Sequence, residues 1–375
     1  MYVEEPSMSK SLTVLNNTKE SVGHHVRMLD PAILSTVDDD LIRGNGNELV
    51  DTYGRVIRDL RICVTDRCNF RCRYCMDPDI RFKRKVELLT DSEIVRIVRV
   101  ASKMGVKRIR LTGGEPMVHP TLSALIRDLR KLDLEDIALT TNGSLSTKAD
   151  LQELKDAGLD RITVSLDSVR EDRFAYITRS STTVARVLQT VQWAKEVGLN
   201  PVKINAVVIR GFNDDELPEL ADLARTMGVD VRLIEYMPLD SGRRWEMDKV
   251  VTADDMINAI NDRHELIPIG RPRPHTPATS YRFADGSEGK IGVIATVTRP
   301  FCNACSRLRI TAEGRVMPCL FSTTEWDMRS LLRSGADERM IAKALVAITH
   351  RKQAGHKIHD EDYQQPNRPM SAIGG

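Results

Sequence analysis

Six of the chain's seven cysteines fall into two groups of three. The first lies in CVTDRCNFRCRYCMDP, residues 63–78, where Cys68, Cys72 and Cys75 are spaced C-x3-C-x2-C. The second lies in TRPFCNACSRLRITAEGRVMPCLF, residues 298–321, as Cys302-x2-Cys305 followed by Cys319. A mononuclear zinc site usually takes four ligands, often as two spaced pairs. Each group here offers three, and the histidines nearest the first, His24, His25 and His119, are remote in sequence. Closely spaced thiolates are the usual ligands of iron–sulfur clusters, and a cube of four irons on three cysteines leaves one iron open to a small molecule. The first group therefore reads as a cluster site. For the second, taken alone, zinc stays open, because C-x2-C is half of a zinc ribbon. Its second pair is missing, however, and His350, His356 and His359 lie beyond a helix-like stretch. Its pairing with the first group favours a second cluster with one open iron.

The elements that must position these thiols can be read from residue 60 onward. Short apolar, β-branched runs predict strands: LRICVT, VKRIRLTGG, DIALTTNG, DRITVSLDS, PVKINAVVI and VRLIEYMP. Stretches with helical spacing lie between most of them, among them TDSEIVRIVRVASKMG, which opens on a Thr90-x-x-Glu93 capping box and stops at Gly105. Six β/α units in series imply a parallel sheet, doubly wound or rolled into a barrel. The cysteine loop follows the first strand, GGEP the second and TNG the third. SLDS ends the fourth, Asn205 lies in the fifth and YMP ends the sixth. In parallel α/β folds that end of the sheet binds ligands, so one active-site mouth is expected.

Composition sets the surroundings. The chain has 375 residues and a net charge of +2, so nothing global points to nucleic acid or a membrane surface. No stretch approaches a membrane span, and the N-terminus has no apolar signal-peptide core. An odd number of clustered cysteines in that setting argues for reduced thiols in a cytoplasm. Residues 1–52 show no sustained period and read as a flexible N-terminal extension. Residues 53–245 are expected to form the barrel with the first cluster, and residues 246–375 a C-terminal region with the second.

C-x3-C-x2-C after a first strand, with Tyr74 before the last cysteine, resembles the radical S-adenosylmethionine enzymes. The resemblance implies a partial (β/α)6, TIM-like barrel and a cluster whose open iron chelates S-adenosylmethionine, source of a 5′-deoxyadenosyl radical. Gly113-Gly114-Glu115-Pro116 matches that family's motif after the second strand, where glycines are expected to let backbone approach the cofactor closely. Together with LTTNG, VSLDS, YITR, VKINAVVIRGFND, PFCNACSRLRITAEG and the terminal IGG, the chain resembles the MoaA-type GTP 3′,8-cyclases of molybdenum cofactor biosynthesis from about Tyr53 to Gly375. That implies two 4Fe–4S clusters, S-adenosylmethionine and GTP, with H3′ abstraction and C3′–C8 bond formation giving 3′,8-cyclo-7,8-dihydro-GTP. It also implies an electron donor of reductase, flavodoxin or ferredoxin type, handover to a cyclic pyranopterin monophosphate synthase, and a monomer or homodimer.

The resemblance assigns residues. Arg61, Arg110, Thr141, Lys203, Arg307 and Arg309 match GTP contacts. Tyr74, Gly114, Ser165 and Met237 match residues around S-adenosylmethionine, the first and last largely through backbone. Arg61, Gly374 and Gly375 match residues needed for catalysis, the terminal glycines by threading into the active site. Physically, Arg61, Arg110, Lys203, Arg232, Arg307 and Arg309 lie in strands or beside cysteines, where a charge is costly without a counter-ion. A triphosphate supplies one, although a nearby Asp or Glu is the ordinary alternative for each. Cys63 shares the face of Arg61 and Thr65 by strand alternation and is expected to be a packed side chain outside both clusters. Two other readings stand beside this one. The chain could be a radical enzyme acting on a peptide or another small molecule with an auxiliary cluster, or a binding protein with two structural zincs.

Overall fold

The structure is a computed structural model that describes residues 25–35, 37 and 48–374. Each of the six expected strands forms: β2 (Asp59–Cys63), β3 (Arg108–Thr112), β4 (Asp136–Thr141), β5 (Arg161–Ser165), β6 (Lys203–Val208) and β7 (Asp230–Glu235). They pair in chain order and in parallel, as helical crossovers require. The helix Asp91–Lys103 shows how locally this is decided. Thr90 Oγ1 accepts the Glu93 amide at 3.2 Å while Glu93 Oε2 accepts the Thr90 amide at 2.8 Å. Ile94, Ile97, Val98 and Ala101 then fall on the buried face. Losing such a cap costs about 1 kcal/mol.

The sheet does not close on itself. Beyond β7 come β10 (Lys290–Ile294), β9 (Thr279–Phe283) and β8 (Leu266–Gly270). On the other side of β2 come β11 (Arg307–Ile310), β12 (Arg315–Met317), β13 (Thr324–Asp327) and β1 (His25–Met28). The result is a curled, mixed sheet with the six β/α units at its centre: the expected partial barrel with a C-terminal extension. β11 is the strand that matters most for the site, because it lies parallel against β2 and brings the second cysteine group to the first.

Part of the region expected to be a flexible extension is a strand. β1 pairs in parallel with β13, His25 opposite Thr324 through Met28 opposite Asp327. The short helix Pro31–Ser35 follows, and Leu29, Leu34 and Val37 are buried. Four residues are too few to show a period, and the partner strand lies some 300 residues away, so the pairing leaves no local signal. Among the described residues no helix is long and apolar enough to cross a membrane.

Candidate active site

The first cysteine group occupies the loop after β2, and the loop after β3 is pressed against it. The Gly114 amide donates to the Thr65 carbonyl at 2.9 Å, and the Glu115 amide to that of Arg67 at 2.7 Å. A Cβ on Gly114 would meet Arg67 O at 2.3 Å. The glycine is thus required by the cysteine loop's own backbone, a different reason from the expected close approach to a cofactor. Glu115 is fully buried, and burial pushes its carboxyl up to about 7. It accepts from Thr141 Oγ1 and the Asn142 amide, both at 2.6 Å, and Asn142 Nδ2 lies 3.9 Å from Cys68 Sγ. Tyr74 donates its hydroxyl to Asp167 Oδ2 at 2.8 Å, and Asp167 Oδ1 accepts the Val207 amide at 2.9 Å. Asn205 Oδ1 is buried without a partner.

Both cysteine groups face one cavity. Its wall includes Cys68, Cys72, Cys75, Cys302, Cys305 and Cys319, and also Arg61, Tyr74, Arg110, Gly114, Thr141, Ser165, Asn205, Arg232, Met237, Arg307 and Arg309. Burial raises the thiols of Cys68, to about 11, and Cys75, to about 12, so iron must displace protons to bind there. At Cys305 burial is outweighed by Arg307 and Lys352, and the thiol falls to about 6. Among the described residues no three His, Cys, Asp or Glu side chains converge as the ligands of a single metal ion. Thiolates around a cube of four irons stand further apart than those around one ion, so a cluster does not need that convergence.

The charges of the barrel interior form two contrasting layers. In the first, the register runs Arg307–Asp59–Arg108–Asp136 across β11, β2, β3 and β4, alternating in sign. Arg108 grips Asp59 through Nε at 2.7 Å and Nη2 at 3.1 Å. Two residues further along the same strands the register is Arg309–Arg61–Arg110, three guanidinium groups side by side. Like charges directly opposite each other destabilise a sheet. None of the three makes an ion pair among the described residues; Arg110 touches only Thr140 and Thr163 hydroxyls, at 3.1 and 3.2 Å. Among the described residues neither Arg232 nor Arg307 comes within ion-pair distance of a carboxylate, although Arg307 lies opposite Asp59; Arg307 stacks over Phe301 at 4.9 Å. Lys203 differs: it pairs with Asp230 and does not line the cavity.

The buried cations make stability depend on pH. Burial, with Arg232 beside it, lowers Lys203 to about 8; burial and Arg161 lower Arg110 to about 9. Between those values and the ordinary values for Lys and Arg, the unfolded chain binds more protons than the folded one. Their contribution to stability therefore rises with pH. The buried thiols of Cys63, Cys68 and Cys75, raised to about 11, 11 and 12, act oppositely above about pH 9, so the signature is a difference: from pH 8 toward about 10 the ligand-free wild type should gain thermal stability relative to Lys203→Met. A difference that stays flat or falls with pH would contradict the assignment.

The chain's end enters the same barrel. In the helical turn Met370–Ile373, Ser371 donates to the Cys75 carbonyl at 3.0 Å and Ile373 is fully buried. Arg309 donates to the carbonyls of Ile373, at 3.3 Å, and Gly374. Gly374 has φ +75°, and a Cβ there would meet Thr112 Oγ1 at 2.3 Å and Cys63 Sγ at 3.0 Å. Gly375 lies outside the described residues. Cys63 is 1% exposed, away from the cavity wall, and burial raises its thiol to about 11. It supports the tail. Cys63→Ser should leave iron and sulfide content unchanged, and substantial iron loss would show that it is a ligand after all.

Comparison with known proteins decides what this arrangement belongs to. A model of the radical SAM superfamily matches residues 62–224, and one described as Molybdenum Cofactor Synthesis C matches residues 229–358. The GTP 3′,8-cyclase of Streptomyces coelicolor is 44% identical over 337 residues, 89% of this chain and 98% of that protein. That of Mycolicibacterium smegmatis is 44% identical over 334 residues, 87% of this chain and 92% of that one. The chain belongs to the GTP 3′,8-cyclase family. This chain shares its fold with Streptococcus suis SuiB bound to S-adenosylmethionine, with a TM-score of 0.58 at 15% identity over 85% of this chain and 78% of that one.

For a GTP 3′,8-cyclase the structure gathers fifteen of the expected residues on one cavity wall and sets Lys203 and Gly374 off it. Sequence reasoning gave no role to Glu115, Asp167, Lys352 or His356, the last of which lines the cavity with its Nε2 2.6 Å from the Thr296 carbonyl. Glu115 and Asp167 sit inside motifs, GGEP and SLDS, that could have singled them out. Lys352 and His356 depend on a fold-back of the chain that no local pattern announces.

Proposed function

We propose that this protein converts GTP to 3′,8-cyclo-7,8-dihydro-GTP by removing H3′ of the ribose and joining C3′ to C8, the first step of molybdenum cofactor biosynthesis. Its cofactors are two 4Fe–4S clusters and S-adenosylmethionine. When bound, S-adenosylmethionine on the N-terminal cluster supplies the hydrogen-abstracting 5′-deoxyadenosyl radical. Cys68, Cys72 and Cys75 would hold that cluster, and Cys302, Cys305 and Cys319 the other. Gly114, Ser165, Met237 and Tyr74, steadied by Asp167, would line the S-adenosylmethionine site, where Asn205 Oδ1 offers an unused acceptor.

The observation that carries the reading is the Arg309–Arg61–Arg110 row, which has no carboxylate partner among the described residues and which a polyanion would neutralise. Arg61 and Arg110 would bind GTP phosphates, with Arg307 and Thr141 completing the substrate wall and Lys203 contributing charge from behind. Arg309 would serve the substrate and tail together, since it already holds the Ile373 and Gly374 carbonyls. The work of these residues is positioning and exclusion of water. Gly374 and Gly375 would close the barrel over the ribose. The barrel would span residues 53–245 and the second-cluster region 246–375. The electron source would be a reductase, flavodoxin or ferredoxin type of donor in the cytoplasm. The product would pass to a separate cyclic pyranopterin monophosphate synthase, with the enzyme a monomer or homodimer.

The test is cleavage of S-adenosylmethionine by anaerobically purified, dithionite-reduced protein. Cleavage should depend on GTP and yield the 3′,8-cyclised nucleotide. Cleavage indifferent to GTP, or driven by a peptide instead, would overturn the reading.

A further inference from the structure

The second cysteine group is held from behind by a residue at the other end of the chain. Arg55 lies in a tight turn closed by the bridge between Val50 and Val56, and both it and Asp51 are buried. Its Nε pairs with Asp51 Oδ2 at 2.5 Å. The remaining guanidinium donors go to three carbonyls: Cys302 and Ala354, both at 2.8 Å, and Gln353 at 2.7 Å. A planar fork spent on carbonyls of two separate loops fixes one loop against the other.

What the clamp presents is a four-residue segment, Lys352–Gly355, wrapped round the cysteines. Lys352 Nζ donates to the carbonyls of Arg307, at 2.9 Å, and Pro318. Gln353 Nε2 donates to Cys319 Sγ at 3.7 Å. Gly355 runs beside Cys302, where a Cβ would make ordinary contact with Sγ at 3.7 Å. Neither Arg55 nor Gln353 lines the cavity, so substrate contact does not explain them.

We propose that Lys352–Gly355, clamped by the Arg55–Asp51 pair, is the hydrogen-bonding collar of the C-terminal cluster, and that Gln353 raises its reduction potential through Cys319. This rests on the reading that Cys302, Cys305 and Cys319 carry a cluster. Reduction puts extra negative charge on the cluster and its thiolates, so a donor aimed at one of those sulfurs favours the reduced form. Arg55 is a positioning residue that acts by holding Gln353 in place.

The experiment is an anaerobic redox titration of the holoenzyme followed by electron paramagnetic resonance, taking the signal that GTP perturbs as that of the C-terminal cluster. Gln353→Leu should lower the reduced-to-oxidised ratio at the wild-type midpoint roughly tenfold, equivalent to about 59 mV for one electron. Iron content should not change. Gln353→Glu, which swaps the donor for a negative charge, should shift it in the same direction, and so should Arg55→Lys. If Arg55 acts through Gln353, the double variant Arg55→Lys, Gln353→Leu shifts no further than the larger single shift. An unmoved midpoint at full iron loading would overturn the proposal, and so would iron loss in Gln353→Leu, which would make the residue merely structural. Loss of all iron in Cys68→Ala would instead overturn the two-cluster reading on which the proposal stands.

Discussion

Replacing Gly374 with valine should abolish cyclisation while both clusters stay loaded. The residue sits at φ +75°, a left-handed conformation that costs a side-chain-bearing residue roughly 1–2 kcal/mol. The space is a harder limit: the first added carbon would meet Thr112 Oγ1 at 2.3 Å and Cys63 Sγ at 3.0 Å. Thr112 and Cys63 are opposite each other on β3 and β2, at the centre of the sheet, and cannot retreat. The tail must move instead. It would then lose the Arg309 contacts to the Ile373 and Gly374 carbonyls that fix its course. A displacement of about 1 Å near a reacting centre costs around 10²-fold in rate, and full withdrawal of the tail costs more. Among the described residues no hydrogen bond joins Gly374 to any of the six cysteines proposed to hold the clusters, so iron and sulfide should be retained, and reduced protein should still bind S-adenosylmethionine. Deleting Gly374 and Gly375 should have the same result. Normal turnover by either variant, measured as 3′,8-cyclised product, would remove the tail from the mechanism.

That dependence on distant partners marks what could be read in advance and what could not. The six strands and the helix from Asp91 to Lys103 were legible because their causes are local: β-branched runs, a Thr90–Glu93 cap, a glycine stop. The two cysteine groups could be picked out because their members fall close together in the chain, and the structure brings both to one cavity. The alternation of Arg307, Asp59, Arg108 and Asp136 against the uniform row of Arg309, Arg61 and Arg110 was not. It exists only once β11 is laid beside β2 in one register, across nearly 250 residues. Lys203 shows the same limit from the other side. Whether a strand lysine meets a phosphate or a carboxylate depends on the neighbouring strand, and here Asp230 is opposite it. The strand at His25–Met28 and the clamp of Arg55 on Cys302 are likewise facts of pairing, not of pattern.

The uniform row leads to the second large effect: Arg61→Met should make the ligand-free protein more stable and nearly inactive. Arg61 is flanked by Arg309 on one strand and Arg110 on the other, and among the described residues no carboxylate pairs with any of the three. Burial and those neighbours press its guanidinium well below the usual arginine range. Two unit charges about 5–6 Å apart repel by roughly 3 kcal/mol at an effective dielectric constant near 20. Methionine keeps the apolar stem and removes the charge, so part of that repulsion is relieved, by about 1–3 kcal/mol once lost solvation is counted. With substrate the sign reverses. Charge-assisted hydrogen bonds to phosphate are each worth about 1.5–3 kcal/mol, and losing two of them lowers kcat/KM by roughly 10²–10⁴-fold. Thermal unfolding without GTP should therefore shift upward in the variant, while the stabilisation that GTP gives the wild type should largely vanish. A purely structural arginine would behave oppositely, with a drop in unfolding temperature and an intact response to GTP. The variant thus tests one physical claim directly: the barrel holds uncompensated positive charge at a cost to its own stability, and that cost is offset when the triphosphate arrives.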